Sequence, residues 1–263
     1  MMQAGELPLR GPFTANDIQE EDRFELSNGH RIYCAPAGGN HAHRNLSGGS
    51  LLDSDPDVQW SGVDAGFSPE PGTMRAPDVS VAPPPAKKGG WISGVPPLAV
   101  EYADQGQNET DLQIKIRELL SAGTRYVWVV RLTGLHCVEV YTPNKPMRLL
   151  SMTDTLEAPG ILRNRLPVRA LFDREAAHGV ILRNLLQREG YDDLDAVRME
   201  GKIEGGLEAQ MNALFSILAA RGLQVDAKTR MRIGNCCNAG QLDAWLRKAA
   251  VAERVEDVFR ERV

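Results

Sequence analysis

Residues 96–123 read PPLAVEYADQGQNETDLQIKIRELLSAG. The run Leu98–Tyr102 is apolar apart from Glu101, the pattern of a strand covered on both faces. Thr110 followed three residues later by Gln113 is a capping-box pattern that predicts a helix starting at Thr110, and Gly123 is a natural stop for it. At 100° per residue with Leu112 at zero, Ile116, Leu119 and Leu120 cluster around about 30°, while Lys115 falls at about 300°, on the edge of that stripe. Its stem can lie along the sheet while its ammonium reaches toward a strand end. Glu118 and Arg117 are expected to point elsewhere. In the strand, Leu98 and Val100 share one face, Ala99 and Glu101 the other.

Working outward, DVSVA (78–82) is a short β-branched run after Pro77, and YVWVV (126–130) is another without polar interruption. HCVEVY (136–141) alternates beyond the Thr133-Gly134 turn, which predicts antiparallel pairing with 126–130. Upstream, RFELSNGHRIYCAP (23–36) alternates around Asn28-Gly29, a hairpin signal, and VQWSGV (58–63) is a further candidate strand. Much of residues 1–75 is rich in Gly, Pro, Asn and Ser, where element boundaries carry little signal. The sum is an α/β (α+β) fold: a mixed sheet flanked by helices.

After residue 173 the texture becomes helical. Residues 174–205 are charged and interrupted by glycines, the profile of solvated helical pieces or a linker. From 206 on, Leu207, Met211, Leu214, Phe215 and Leu218 follow the spacing of one helical face, and helices near 226–234 and 239–250 follow. The expected organisation is therefore 1–173, a linker over 174–205, and a small helical bundle over 206–263. The apolar stripe of the bundle reads as internal core, with homo-oligomerisation through it as the alternative.

With 42% hydrophobic and 25% charged residues the 263-residue chain has an ordinary globular composition. It has no apolar run long enough to span a membrane and no secretory leader pattern at its start, so no membrane association and a cytoplasmic location are expected. Cys34, Cys137, Cys236 and Cys237 show no CxxC spacing and read as reduced core residues. The net charge of −5 resides in residues 1–173, and 174–263 are balanced. Neither part has the basic excess of a tight non-specific DNA binder.

The chemistry concentrates on carboxylates at strand ends. Glu101, ending an apolar strand, is expensive to ionise without a cation or hydrogen-bond donors. Either a metal ion or an internal salt bridge answers that demand. Asp78 begins DVSVA, and if the two strands are neighbours the two acids converge. A pair of hard oxygen donors with open positions for water and phosphate suits Mg²⁺, and a nearby lysine would orient a water or offset phosphate charge. The same residues also admit a plain reading, in which Asp78 caps a turn, Glu101 pairs with an arginine and Lys115 is a boundary lysine. His41 and His43 form an HxH pair with no third ligand at sensible spacing, which reads as a surface loop. Lys87-Lys88, in the loop PPPAKKGG, read as solvated, with a phosphate contact as the alternative.

The succession APDVSV, PPLAVEY, DLQIKIRELLSAGTRYVWVV and HCVEVY resembles the Uma-type restriction endonucleases, a branch similar to the PD-(D/E)XK nuclease superfamily. Pro77 and Asp78, Val100 and Glu101, Asp111 and Lys115, Gly123 and Trp128 occupy the family's pattern, with good coverage over about 75–141. The superfamily's usual lysine position, two residues after the acid, is Ala103 here, and the resembling branch carries its lysine on the helix, where Lys115 stands. The resemblance implies a restriction-endonuclease-like sheet in residues 1–173, Asp78 and Glu101 as metal ligands with the Tyr102 backbone carbonyl as a further one, and Lys115 as the water-orienting residue. It also implies Glu25, in FELSNGHRIY, as an accessory acid and His41 as an accessory residue opening the next helix. The implied function is a Mg²⁺-dependent endonuclease, with Mn²⁺ as a substitute ion and DNA as substrate. Leu119, Asp104 and Arg131 depart from the family's pattern. The alternative is a non-catalytic interaction or scaffold protein acting through its C-terminal helices, since one fold hosts many functions.

Overall fold

A computed structural model describes residues 11–87, 89–106 and 108–260. They form two compact units, divided between Gly190 and Tyr191. In the first, the chain makes β1 (Phe24–Ser27), β2 (His30–Tyr33), α1 (Gly39–Asp53), β3 (Ser61–Val63), β4 (Phe67–Glu70), β5 (Thr73–Arg75), β6 (Val79–Val81), β7 (Ile92–Ser93), β8 (Leu98–Ala103), α2 (Glu109–Ala122), β9 (Tyr126–Arg131), β10 (Cys137–Tyr141), β11 (Arg148–Ser151), β12 (Thr155–Leu156), β13 (Leu166–Pro167) and α3 (Arg174–Arg188).

The main sheet runs β11-β10-β9-β8-β6-β3. Only β8 and β9 are parallel, joined by α2 as a crossover, and every other pair is antiparallel. β8 is buried along its whole length. Leu98, Val100 and Tyr102 face a core shared with Leu51 and Leu52 of α1, whereas Ala99 and Ala103 face Leu112, Ile116 and Leu119 of α2. The two-residue alternation of a strand thus places Glu101 on the α2 side. A second sheet, β2-β1-β5-β4-β7, carries the expected hairpin, with Asn28 and Gly29 both at positive φ, as a tight two-residue turn requires.

Several boundaries differ from the sequence expectation. α2 starts at Glu109, because the Asn108 side chain accepts hydrogen bonds from the backbone of Thr110 and Asp111 and takes the cap assigned to Thr110. Gly123 does end it, at φ 117°. The histidine pair lies on a helix instead of a surface loop: α1 runs through Gly48 and Gly49, since Asn45, Leu51 and Leu52 bury one face of it and that packing outweighs weak propensity. Gly48 is also required there, as a Cβ would lie 2.2 Å from the Tyr102 hydroxyl oxygen. Residues 58–63 contribute only the short β3, while Val58 packs into the core. Of the four cysteines, all free, only Cys137 is buried.

Residues 174–188, expected as linker, form α3 of the first unit. Asp173 caps it, Ala177 and Val180 enter the main core, and Arg188 donates to the carbonyls of Asp53, Ser54, Asp55 and Val58. Ala177, Val180 and Ile181 give α3 only a short apolar stripe, and the polar anchors at its C-terminal end carry no periodicity signal. The second unit contains α4 (Leu194–Ala220), α5 (Ala227–Gly234), α6 (Ala239–Ala249) and α7 (Val255–Val258). α4 continues through Gly201, Gly205 and Gly206, where interruptions were expected. Its core joins Leu214 and Leu218 to Ile233, Leu242, Trp245 and Val258. Among the described residues no helix is long and apolar enough to cross a membrane.

Candidate functional site

Asp78 directly precedes β6. The register pairs Val79 with Val100, so the next pair along is Asp78 with Glu101. Directly opposed positions of an antiparallel pair hold their Cβ atoms about 5 Å apart on the same face. The Tyr102 backbone N–H donates to Asp78 Oδ2 at 2.6 Å, locking the carboxylate against β8. Asp78 Oδ1 lies 3.0 Å from His41 Nε2 and accepts from Asn45 Nδ2 at 3.5 Å, so α1 contributes from the other side.

Lys115, the third residue of the sequence-derived set, reaches Glu101 from α2. Its Nζ lies 2.9 Å from Glu101 Oε1 and 3.1 Å from Oε2. The ammonium also donates to Glu25 Oε1 at 3.0 Å and to the Ala76 carbonyl at 2.8 Å. Glu25 is held in turn by Arg75 Nη1 at 3.0 Å and by the Ala76 N–H at 3.2 Å. The structure therefore brings Asp78, Glu101, Lys115, Glu25 and His41 into one constellation. Tyr102 joins through its backbone N–H, while its side chain points to the α1 side of β8.

Sequence reasoning missed four participants. Arg75, 2% exposed, bridges Glu25 and Glu118, and Glu118 also accepts from Ser27. Glu118 accordingly does not point away: it stands one turn beyond Lys115, and the i, i+3 spacing was the available signal. Asn45, 2% exposed, lies beside Asp78. Asp64 follows β3 and shares the cleft. Their roles depend on pairings between distant segments, which local spacing does not encode. His43 is exposed on α1, and Lys87 is exposed while Lys88 lies outside the described residues.

Burial dominates the electrostatics. Glu101 is 7% exposed, and burial, with Asp78 and Glu25 adding to it, outweighs Lys115 and pushes its pKa up to about 8. Burial works against the Lys115 ammonium too, but Glu101, Glu25 and Asp78 overcome it and hold its pKa above the usual lysine range. The hydrogen bond to Asp78, opposed by partial burial, raises His41 and favours its imidazolium. Asp64 is raised by burial and by the Asp78 charge.

Among the described residues no group of three or more His, Cys, Asp or Glu side chains is arranged to hold a metal ion. The donors at the site are the Asp78 and Glu101 carboxylates, hard oxygens of which Glu101 Oε1 is buried and makes no hydrogen bond despite its ion pair with Lys115. Two carboxylates fit a cation that retains several waters, as Mg²⁺ does, and do not fit a closed zinc cage. The constellation lines a cleft of about 940 Å³.

Comparison with known proteins agrees with this architecture. A structure described as a putative nuclease belonging to DUF820, from Anabaena variabilis ATCC 29413, is similar at a TM-score of 0.54 and 18% identity, covering 63% of this chain and 99% of that one. At that identity the likeness establishes the nuclease-like fold. No curated protein matches the chain. The profile of the Uma2 family, described as "Putative restriction endonuclease", matches residues 12–169, more than half of the sequence and the whole of the constellation. The chain belongs to the Uma2 family.

Proposed function

We propose that the protein is a metal-dependent endonuclease that hydrolyses DNA phosphodiester bonds, using Mg²⁺ or, in its place, Mn²⁺. The observation that carries this reading is the convergence of Asp78 and Glu101 from adjacent strands with the Lys115 ammonium from the intervening helix. Asp78 and Glu101, with the Tyr102 carbonyl, are the residues that would hold the ion. When bound, such an ion supplies a Lewis acid for the phosphate and a more acidic water. Lys115, fixed by Glu25, Glu101 and the Ala76 carbonyl, would hold a water in line with phosphorus and offset charge on the phosphate oxygens. His41 and Asn45 orient the Asp78 carboxylate. The four free thiols suit a reducing compartment, so we place the activity in the cytoplasm.

The purified full chain is expected to cut circular DNA with Mg²⁺ or Mn²⁺ and to stop on chelation. Asp78→Ala should abolish cutting, and Lys115→Ala should slow it about 10²- to 10⁴-fold, the usual loss for a proton-handling group. A preparation that cuts neither single-stranded nor duplex circles with either ion, and whose melting temperature neither ion moves, would overturn the reading.

A further inference from the structure

The cleft around Asp78 and Glu101 has an unusual wall for a site that takes a polyanion. Eight Asp and Glu side chains line it, against three Lys and Arg. Two of those three cations are committed: Lys115 to Glu25 and Glu101, and Arg75 to Glu25 and Glu118. Among the described residues of the wall, Arg23 is the remaining Lys or Arg, and it is exposed at the rim. Proteins that grip duplex DNA neutralise several phosphates with Lys and Arg, and six to ten such contacts are common. This wall cannot supply them.

It offers aromatic rings instead. Tyr33, at the end of β2, lines the cleft with 63% of its surface exposed. Its cross-strand partner is Phe24, whose ring meets it edge-on with centroids 5.9 Å apart, so the exposed ring is braced by a neighbour on the same face of the hairpin. Trp91 also lines the cleft, fixed by its indole N–H, which donates to the Ala15 carbonyl at 2.9 Å. A rigid aromatic loses little entropy when a base stacks on it, and each stacked base contributes binding that a paired base cannot supply. Bases in a duplex already stack on their neighbours and offer no free face.

We propose that the cleft takes unpaired nucleotides, with Tyr33 and Trp91 as base-stacking platforms, so that the protein acts on single-stranded segments of DNA in preference to intact duplex. The inference rests on the endonuclease reading for its reaction, and on the cleft wall for its substrate class. A divalent ion would then need to neutralise only the phosphate at the reacting position, which matches the scarcity of uncommitted cations.

The test is a binding measurement on the full chain with a labelled oligonucleotide, single-stranded or annealed to its complement, in Ca²⁺ to suppress turnover. The single strand is expected to bind at least about tenfold more tightly than the duplex. Tyr33→Ala should weaken single-strand binding by about five- to a hundredfold, the range set by stacking on one aromatic. Tyr33→Phe keeps the ring and should restore binding, which separates stacking from any effect on folding. Trp91→Ala should act in the same direction, judged at matched circular dichroism. Equal or tighter duplex binding, or a Tyr33→Ala protein that binds the single strand as the parent does, overturns the inference. A protein that binds single strands through Tyr33 yet cuts no DNA sinks the endonuclease reading alone. One that nicks duplex through Asp78 with no dependence on Tyr33 sinks this inference alone.

Discussion

At Glu101 the conflict between burial and charge becomes measurable without any substrate. Its folded pKa, about 8, stands above the 4.5 of an ordinary glutamate, so the folded protein retains a proton that the unfolded chain has released. A raised carboxylate pKa means that stability is fully present below about pH 4.5 and declines as pH climbs toward 8, where the buried carboxylate ionises. In chelator, Glu101→Gln removes that liability. The variant is expected to gain stability over the parent as pH rises from 5 to 8, by no more than about 1.4 kcal/mol per pH unit. Denaturant unfolding at pH 5, 6.5 and 8 measures it, and a difference that stays flat across the series would refute the assignment. The same scale shows what the chain spells out. Asp78, Glu101 and Lys115 stand at positions fixed by strand alternation and by a helix wheel, both local rules. Arg75 and Asn45 escape such rules, because Arg75 matters only once β5, β1 and α2 meet, joining residues 43 and 50 positions away.

Elements transmit these placements through close contacts. α1 delivers His41 and Asn45 to Asp78 by packing on the sheet, and at Gly48 it meets the Tyr102 side chain of β8 with no room for a Cβ. Gly48→Ala would place a Cβ 2.2 Å from the Tyr102 hydroxyl oxygen and 3.1 Å from the carbon bearing it. Overpacking of this kind costs about 1–3 kcal/mol. The Tyr102 hydroxyl is buried without a hydrogen-bond partner, so Tyr102→Phe alone should be neutral or stabilising. Added to Gly48→Ala, it should recover a large part of the loss, a coupling that a double-mutant cycle on melting temperature would reveal. Strictly additive effects would show that the helix accommodates the methyl group in another way. Element boundaries read well from sequence wherever a glycine or a cap acts alone, as at Asn28-Gly29, Gly123 and Asp226. They read poorly at α1, where glycines that weaken an isolated helix are needed for its packing, and at α3, where an arginine on carbonyls supplements a short apolar stripe.

Over the whole molecule, the change of texture after residue 173 marks where the strands end, not where the first unit ends. α3 closes the main core with Ala177 and Val180, its Asn184 donates to the buried Ser54 hydroxyl at 3.0 Å, and Arg188 satisfies four carbonyls at the end of α1 and just beyond it. Removing those groups would leave several buried acceptors unpaired, each costing about 1–3 kcal/mol, a large part of the 5–15 kcal/mol that stabilises a typical domain. Each unit also has its own apolar core, the condition for folding alone. A chain ending after Gly190 is therefore expected to fold cooperatively and to keep the Asp78, Glu101 and Lys115 constellation. A chain ending after Asp173, at the texture boundary, should lose cooperative unfolding or express as aggregate. Thermal unfolding of the two truncations beside the full chain decides between the boundaries. If the shorter one melts as sharply and at the same temperature as the longer one, α3 is dispensable and the arginine-to-carbonyl anchoring contributes no stability.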